Sequence, residues 1–294
     1  MIRLLKKYFQ QIKYKIFNNK LSIYTNFLHE VNNIASIFIY RITTNRNKTN
    51  LKECVQLKKD GFIIIKNNDQ DQIKNFRELS LQISNFFNNR KNLIISNNLI
   101  SYLDPKFLDQ EKLKKIFTPY IIKFIENYFK SSFQIYSYHI YRTDFTRNDK
   151  EDSYLWHTDN STRHSLKLMF YLNDVKKSDG AMEILNSEDS KAIFKKGFYD
   201  RSQQNQYESL ITPKINVCEG DIGSVIIFKN SLNLHRAKKP LNRSRDVINV
   251  NIYPSIKKFS ENCKKELNKE FYNSGFSLNP FTNYPQNTLS SEKI

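Results

Sequence analysis

Two histidines and one aspartate are the residues of this sequence best suited to binding one metal ion together. His157 and Asp159 form a His-x-Asp motif, and His235 follows 78 residues after His157. In a β-strand, residues two apart project from the same face about 7 Å apart along the chain, so an imidazole and a carboxylate can reach one metal. Two nitrogen ligands and one carboxylate on one face of an octahedral site leave three positions open, the arrangement used for oxygen activation at non-haem Fe(II).

An arginine follows the second histidine closely enough to serve the same site. Arg245 comes ten residues after His235 and begins the β-branched segment that continues through 246–254. Its planar guanidinium can bind a carboxylate through two parallel hydrogen bonds. Arg243, two residues earlier on the same strand face, is a rival for this role.

Several other polar residues near the motif are assigned simpler roles. His29 is predicted to be structural, His139 to be a wall or core residue in the middle of a strand, and His164 to be a solvated turn residue. Lys167 is predicted to be a solvated lysine on the next strand. Trp156 precedes the motif by one residue, so its side chain is expected to point away from the metal and into packing.

The elements that must position these residues fall into two groups along the chain. Apolar residues at three-and-four spacing predict helices over 1–40, 69–89 and 105–130, the last with a start signal at Asp104-Pro105. From residue 132 onward the pattern changes to short strands, namely FQIYSYHIYRT, SLKLMFYL, AMEIL, SVIIF and DVINVNIYP. Helices followed by a run of strands indicate an α+β fold with an antiparallel sandwich or barrel.

Composition excludes several classes of protein. A chain of 294 residues that is 39% hydrophobic, with 22 Phe and 17 Tyr, can bury a large core and is not globally disordered. Its longest nearly continuous apolar stretch, Ile34 to Tyr40, is far shorter than the roughly 20 residues of a membrane span. The N-terminus lacks the apolar stretch of a secretory signal. Three widely separated cysteines, Cys54, Cys218 and Cys263, predict a reducing, cytoplasmic setting.

The net charge of +18 is unevenly distributed. Residues 1–50 carry nine Lys or Arg against a single acid, Glu30. The favoured interpretation is the solvated face of an accessory helix, and peripheral contact with an anionic membrane through residues 1–50 is the alternative. No nucleic-acid partner is expected, because the basic residues concentrate in this leader rather than around the strands.

Taken in order, these segments resemble the Fe(II)/2-oxoglutarate-dependent dioxygenases, and within them the phytanoyl-CoA-dioxygenase-like branch. The resemblance runs from about residue 57 to 254. It is carried by DGFIIIKN, WHTD (156–159), LKLMFYLNDVKKSDGAMEIL (166–185), EGDIGSVIIFKNSLNLHRA (219–237) and RSRDVINVNIYP (243–254). The chain departs from the family's usual turn with NSEDSK (186–191), which affects the expected substrate entrance rather than the metal site.

The resemblance implies a double-stranded β-helix, which is a jelly-roll or cupin-like barrel, with flanking helices and an N-terminal helical extension. It implies Fe(II) held by His157, Asp159 and His235, with 2-oxoglutarate bound by Arg245 and O2 as the oxidant. In some relatives a lysine near the position of Lys167 also holds 2-oxoglutarate. Because the carboxylate of Asp159 is present, the resemblance implies hydroxylation of an unactivated C–H bond rather than halogenation.

The organisation expected from this pattern has three parts: a basic helical leader and linker (1–50), the dioxygenase domain (51–260) and a C-terminal extension (261–294). The substrate stays open among small molecules, acyl thioesters, lipids and glycans. Three other interpretations remain: a cupin-like barrel that binds metal or sugar without oxygenase activity, an ordinary β-sandwich with scattered polar residues, and a nucleic-acid demethylase. The cupin-like barrel would have no need of a dicarboxylate anchor such as Arg245.

Overall fold

The structure, a computed structural model, describes nine stretches of the chain: residues 23–44, 51–67, 69–89, 93–96, 100–103, 107, 110–145, 152–159 and 161–259. The first half of the predicted leader, most of its linker and the predicted C-terminal extension (261–294) lie outside the described residues. The division into three parts therefore stays a prediction.

The helices of the described stretches lie mainly in the first half of the chain, as the sequence pattern predicts. Their bounds are α1 Ile23–Thr43, α2 Lys52–Asp60, α3 Gln70–Asn88, α4 Gln110–Ile116, α5 Pro119–Phe129, α6 Ser187–Lys195 and α7 Gln204–Ile211. Side-chain caps begin two of the longer ones, because the carboxylate of Asp69 accepts backbone N–H groups at the start of α3 and the hydroxyl of Thr118 does so at α5.

The strands form two antiparallel sheets. Their bounds are β1 Phe62–Ile65, β2 Leu93–Ser96, β3 Ile100–Leu103, β4 Ser132–Thr143, β5 Leu166–Tyr171, β6 Met182–Ile184, β7 Asn216–Cys218, β8 Val225–Phe228, β9 His235–Arg236 and β10 Arg245–Ser255. Within the described stretches, the larger sheet has the order β1-β8-β5-β10-β4-β3-β2, and the smaller one has the order β7-β6-β9. The five strand segments predicted after residue 132 are all confirmed as strands.

Alternation along the central strands sends side chains to two different layers. On β10, Ile248 and Val250 join the core beneath α2 to α5, whereas Val247 joins a second cluster that includes Met182 and Cys218 of the smaller sheet. This is the period of two expected of a strand buried on both faces. The larger sheet is therefore sandwiched between the helices and the smaller sheet.

Two features of the helical half differ from the sequence prediction. The single helix expected over 105–130 is divided into α4 and α5, because Pro119 at the first turn of α5 disfavours helical geometry for Thr118, which serves as the cap instead. Helix α2, which ends at Gly61, is not among the helices that the sequence pattern predicts. In the second half, α6 and α7 interrupt the run of strands, and Asn186 of the divergent NSEDSK segment caps α6.

Helix α1 packs on the larger sheet through polar side chains. The Asn32 side chain donates a hydrogen bond of 2.7 Å to the backbone carbonyl of Pro254, and the His29 ring lies edge-on to Tyr253 with centroids 5.2 Å apart. His29 is buried, so its predicted structural role fits its position. None of the helices among the described residues is both long enough and apolar enough to cross a membrane.

Gly61 ends α2 in the left-handed region, with φ at +80°, and its substitution should destabilise the fold. A Cβ atom there would clash with Oδ1 of Asn233 and with Oγ of Ser187. We expect Gly61→Ala to lower the free energy of unfolding by about 1–3 kcal/mol through backbone strain and this clash. Urea denaturation followed by circular dichroism measures the change.

Gly223→Ala is the matched control for this prediction. Gly223 has φ at +82°, but its added Cβ would meet no atom closer than 3.3 Å. Both variants therefore carry the left-handed strain, and the larger loss in Gly61→Ala isolates the clash with Asn233. Equal losses in the two variants would contradict the steric part of the argument.

Candidate metal centre

The structure brings together the three residues that the sequence predicts as metal ligands. One ligand atom from each of His157, Asp159 and His235 can be chosen so that all lie within 4.8 Å of one another. Oδ1 of Asp159 is 3.7 Å from Nε2 of His157 and 3.6 Å from Nε2 of His235. Bonds of about 2.0–2.2 Å to one ion placed between these atoms span such separations.

A short backbone pairing, rather than a full strand, holds the two histidines side by side. The N–H of His157 donates to the carbonyl of His235 at 3.0 Å, and the reverse bond is 2.9 Å. The loop from Asn230 to His235 follows β8, and the N–H of Asp159 donates to the carbonyl of Asn230 at 2.8 Å. The His-x-Asp motif thus aligns with this loop although residues 158 and 159 are not in a strand.

Each histidine ring is oriented by the backbone carbonyl two residues before it. Nδ1 of His157 lies 2.7 Å from the carbonyl of Leu155, and Nδ1 of His235 lies 2.9 Å from that of Asn233. A carbonyl can only accept, so each Nδ1 carries a proton, and Nε2 of each ring faces the shared centre. This is the outer-shell arrangement that orients metal-binding imidazoles.

The carboxylate of Asp159 is held through the oxygen that does not face the histidines. Oδ2 accepts a hydrogen bond of 3.0 Å from the amide of Asn230 and forms an ion pair with the ammonium group of Lys167. The amide oxygen of Asn230 accepts in turn from the hydroxyl of Ser165 at 2.9 Å. Oδ1 is therefore left to face both imidazoles.

The protonation states of this cluster suit a divalent cation. Burial, and to a lesser degree the neighbouring His235, lowers the pKa of His157 to about 3. Burial acts to raise the pKa of Asp159, but Lys167 and His235 outweigh it and hold the pKa well below its usual value. At neutral pH the site thus offers an unprotonated imidazole and an ionised carboxylate, which metal binding requires.

A cavity of about 240 Å³ opens on these residues and contains Arg245 in its wall. Arg245 is 1% exposed, and its guanidinium donates to the carbonyl of Gly180 and, at 3.4 Å, to the hydroxyl of Thr143. Its Nε has no hydrogen-bond partner among the described residues. A buried donor in this condition costs free energy unless a ligand oxygen reaches it.

The rival arginine lies elsewhere. Arg243 is 52% exposed and pairs with Asp179 at 3.0 Å, and it does not line the cavity. The geometry therefore favours Arg245 over Arg243 for any role inside the cavity. A larger groove of about 590 Å³ on the helical side of the sheet contains none of the three clustered residues.

The other polar residues singled out in the sequence divide into three outcomes. Trp156 is fully buried in a separate apolar cluster, as predicted. His139 lies in the cavity wall, edge-on to Tyr102. The predictions of solvated roles were wrong for Lys167, whose side chain is 17% exposed and pairs with Asp159, and for His164, which pairs with Glu30 of α1 at 2.9 Å.

Several residues of the cavity were not identified from the sequence. Asn230, Asn249 and Thr143 line it or contact its residues, but each belongs to an ordinary strand or loop pattern. Asn249 donates to the hydroxyl of Tyr141 at 2.9 Å, and its own amide oxygen is buried without a partner among the described residues. Only the position of Asn230 two residues after β8, within the loop that leads to His235, could have drawn attention to it.

Asn230 should be required for tight metal binding although it is not itself a ligand. In Asn230→Ala, Oδ2 of Asp159 loses its amide donor, so the carboxylate can rotate and Oδ1 no longer stays opposite the imidazoles. We expect the dissociation constant for Fe(II), measured anaerobically by competition with a chromogenic chelator, to rise about 10–100-fold. Asn216→Ala, which removes an amide bound to backbone carbonyls outside the cavity, should bind as the parent does. An unchanged affinity in Asn230→Ala would refute this positioning role.

Comparison with known proteins yields no matching family model and no matching curated protein. Among solved structures, the chain is similar to EctD from S. alaskensis in its apoform, with a TM-score of 0.53 and 12% identity over 72% of this chain and 79% of that one. EctD with 2-oxoglutarate and 5-hydroxyectoine gives 0.52 and 12% over 72% and 78%. HygX from Streptomyces hygroscopicus with nickel, 2-oxoglutarate and hygromycin B gives 0.49 and 13% over 71% and 89%.

The similarity to EctD concerns the fold. It confirms that the antiparallel sheets and flanking helices of this chain follow the arrangement of a protein that has been solved with bound Fe and with 2-oxoglutarate. The comparison of structures therefore supports the fold expected from the sequence resemblance, although the sequence identity is too low to show a common fold by itself. Closure of the two sheets into a double-stranded β-helix stays a prediction.

Proposed function

We propose that this chain, which has the fold of EctD, is a non-haem Fe(II)- and 2-oxoglutarate-dependent dioxygenase that hydroxylates an unactivated C–H bond. The observation that carries the proposal is the convergence of His157, Asp159 and His235 on a cavity whose wall also holds the buried Arg245. The sequence resemblance predicts these four residues as one site, although they are spread over almost ninety positions of the chain.

In this proposal His157, Asp159 and His235 hold Fe(II) on one face. The donor set fits, because two imidazoles and one carboxylate leave sites open on an octahedral ion. The bound metal and its cosubstrate supply the oxygen chemistry that side chains lack. The chain's part is to orient both rings through the Nδ1 bonds to Leu155 and Asn233 so that each Nε2 faces the metal, and to hold Oδ1 of Asp159 inward.

Arg245 is proposed to bind the distal carboxylate of 2-oxoglutarate. Arg245 and Thr143 lie in the same cavity wall, and a carboxylate bound there would accept from the guanidinium and from the hydroxyl. The burial of Arg245 increases the preference for an anionic ligand group, because a neutral group would leave the charge of the arginine without compensation. A dicarboxylate cosubstrate is thus the class of molecule that this end of the cavity favours.

The remaining wall of the cavity is proposed to receive a small organic substrate. Tyr102, His139 and Tyr154 line it together with Met169. EctD was solved with 5-hydroxyectoine, which is a small molecule. These walls combine aromatic and thioether surface with the polar groups of Tyr102, His139 and Tyr154, a combination that can orient a small molecule. An acyl, lipid or glycan substrate would have to present a correspondingly small reacting end.

Anaerobic titration of the apo-protein with Fe(II) and then 2-oxoglutarate tests the proposed function. We expect the weak visible charge-transfer band of the chelate in the parent protein and its absence in the double variant His157→Ala, Asp159→Ala. If Fe(II) binds without the band, the cupin-like barrel without oxygenase activity takes the place of the proposal. If well-folded protein binds neither, the proposal fails altogether.

A further inference from the structure

Helix α1 has its polar and apolar faces reversed relative to an ordinary surface helix. The side chains that it buries against the sheet include His29, Asn32 and Ser36, which are 3%, 3% and 0% exposed. Facing outward is a row of five apolar side chains, here called the outer stripe: Phe27, Val31, Ile34, Phe38 and Ile42. Surface helices of globular proteins normally show the opposite arrangement. The outer stripe would therefore be more stable in contact with an apolar environment than with water.

The outer stripe is continuous and large. Its members follow each other at steps of four, three, four and four residues, which places them on one side of the helix over about 22 Å. Four of the five are more than 60% exposed. Together they expose on the order of 500 Å² of apolar surface, at the upper end of what monomeric proteins show and typical of an interaction site.

The charges around the stripe favour an anionic surface. The chain directly before α1, residues 1–22, carries six Lys or Arg and no acid. The single acid of the leader, Glu30, is partly exposed, but its carboxylate pairs with Arg163 at 2.6 Å and with His164 at 2.9 Å. Neither the stripe nor its flanking sequence therefore presents an unpaired negative charge.

We infer that the outer stripe of α1 is a docking surface for the interface of an anionic lipid bilayer, with α1 lying in the plane of the membrane. The apolar side chains enter the boundary between headgroups and acyl chains, and the basic residues before α1 bind the anionic headgroups. A second copy of this chain is a poorer occupant, because each copy carries a net charge of +18 and two copies repel each other. This inference does not depend on the proposed enzymatic function.

Vesicle sedimentation with the full-length protein tests the inference. We expect binding to vesicles with about 30% phosphatidylserine, weaker binding to phosphatidylcholine alone, and weakening at about 0.5 M salt. The triple variant Phe27→Gln, Ile34→Gln, Phe38→Gln should lose at least about tenfold in partition coefficient. Equal binding by this variant and the parent, or no binding by the parent, would overturn the inference.

A matched control variant carries three glutamine substitutions at exposed apolar residues outside the stripe. Val55, Leu81 and Leu241 are 59%, 66% and 60% exposed, close to the 61%, 66% and 62% of Phe27, Ile34 and Phe38. Val55→Gln, Leu81→Gln, Leu241→Gln should therefore bind vesicles as the parent does. Loss of binding in this control would show that general surface hydrophobicity, rather than the stripe, is responsible, and would count against the inference.

A fluorescent label at position 38 separates the lipid from other occupants. An environment-sensitive dye on Phe38→Cys, in a background with Cys263→Ser, reports on the stripe because Cys54 and Cys218 are buried. We expect a solvent-like emission that shifts to the blue only when phosphatidylserine vesicles are added. A blue emission before lipid would mean that residues 1–22 or a second copy already cover the stripe, and dilution would distinguish these two. Either result would overturn the lipid assignment.

Discussion

Replacing Asp159 with alanine should abolish tight Fe(II) binding. The substitution removes the oxygen that faces both imidazoles at 3.7 and 3.6 Å. It also removes the partner of Lys167, whose ammonium group then repels the incoming cation. We expect the affinity to fall by more than the roughly 10–100-fold that loss of an outer-shell partner costs. Chelator competition under anaerobic conditions measures the affinity, and the chelate band with 2-oxoglutarate should disappear.

Asp189→Ala is the matched control for this experiment. Asp189 also pairs with a lysine, Lys214, but on α6 and outside the cavity. Loss of a carboxylate–lysine pair as such is therefore common to both variants, and only Asp159→Ala should lose the metal. Fe(II) affinity in Asp159→Ala close to that of the parent would exclude Asp159 as a ligand and leave two histidines alone at the centre.

Replacing Arg245 with glutamine should weaken 2-oxoglutarate binding while leaving Fe(II) binding in place. Arg245 is buried, so a distal carboxylate in contact with it would lose a desolvated, charge-assisted partner. Truncating one side of such a pair costs about 2–5 kcal/mol, which corresponds to roughly thirty- to several-thousandfold in affinity. Titration of the Fe(II)-loaded protein with 2-oxoglutarate, followed by the visible band, gives the ratio. Arg245→Lys should be intermediate, because it keeps the charge without the planar fork.

Arg243→Gln distinguishes the two arginines of this segment. Arg243 is half exposed, pairs with the buried Asp179 and does not line the cavity, so its removal should leave the 2-oxoglutarate affinity within about threefold of the parent. A large loss in Arg243→Gln with little effect in Arg245→Gln would reverse the proposed assignment. Thermal melts of all three variants show whether loss of the bonds to Gly180 and Thr143 has disturbed the fold.

The candidate ligands were predictable because their chemistry and spacing are local signals. His157 and Asp159 are two positions apart, and His235 follows the loop after a recognisable β-branched strand. Lys167 and Asn230 could not be assigned in this way. Each contacts Asp159 only because β5 and the loop after β8 converge on the same end of the larger sheet, and a lysine eight residues from an aspartate has no fixed distance to it.

The helical half shows the same distinction between local and tertiary information. The apolar spacing of α3 and its Asp69 cap lie within a few residues, so that helix was predicted almost to its ends. The reversed faces of α1 were not predictable, because they depend on which side of the helix meets β10. Its partners Tyr253 and Pro254 lie more than 200 residues further along the chain.

The sequence by itself determined which residues can bind a metal and a carboxylate, and which segments are strands. Side-chain chemistry and short periodicities are properties of single residues and of short segments, so they can be identified without the tertiary structure. Only the tertiary structure decided how those groups are oriented and insulated. The backbone pairing of His157 with His235, the hydrogen bond from Asn230 to Asp159 and the contact of Arg245 with Gly180 each join residues that lie dozens of positions apart. Such contacts form when apolar surface is buried across the whole sheet, which is a property of the folded chain rather than of any segment.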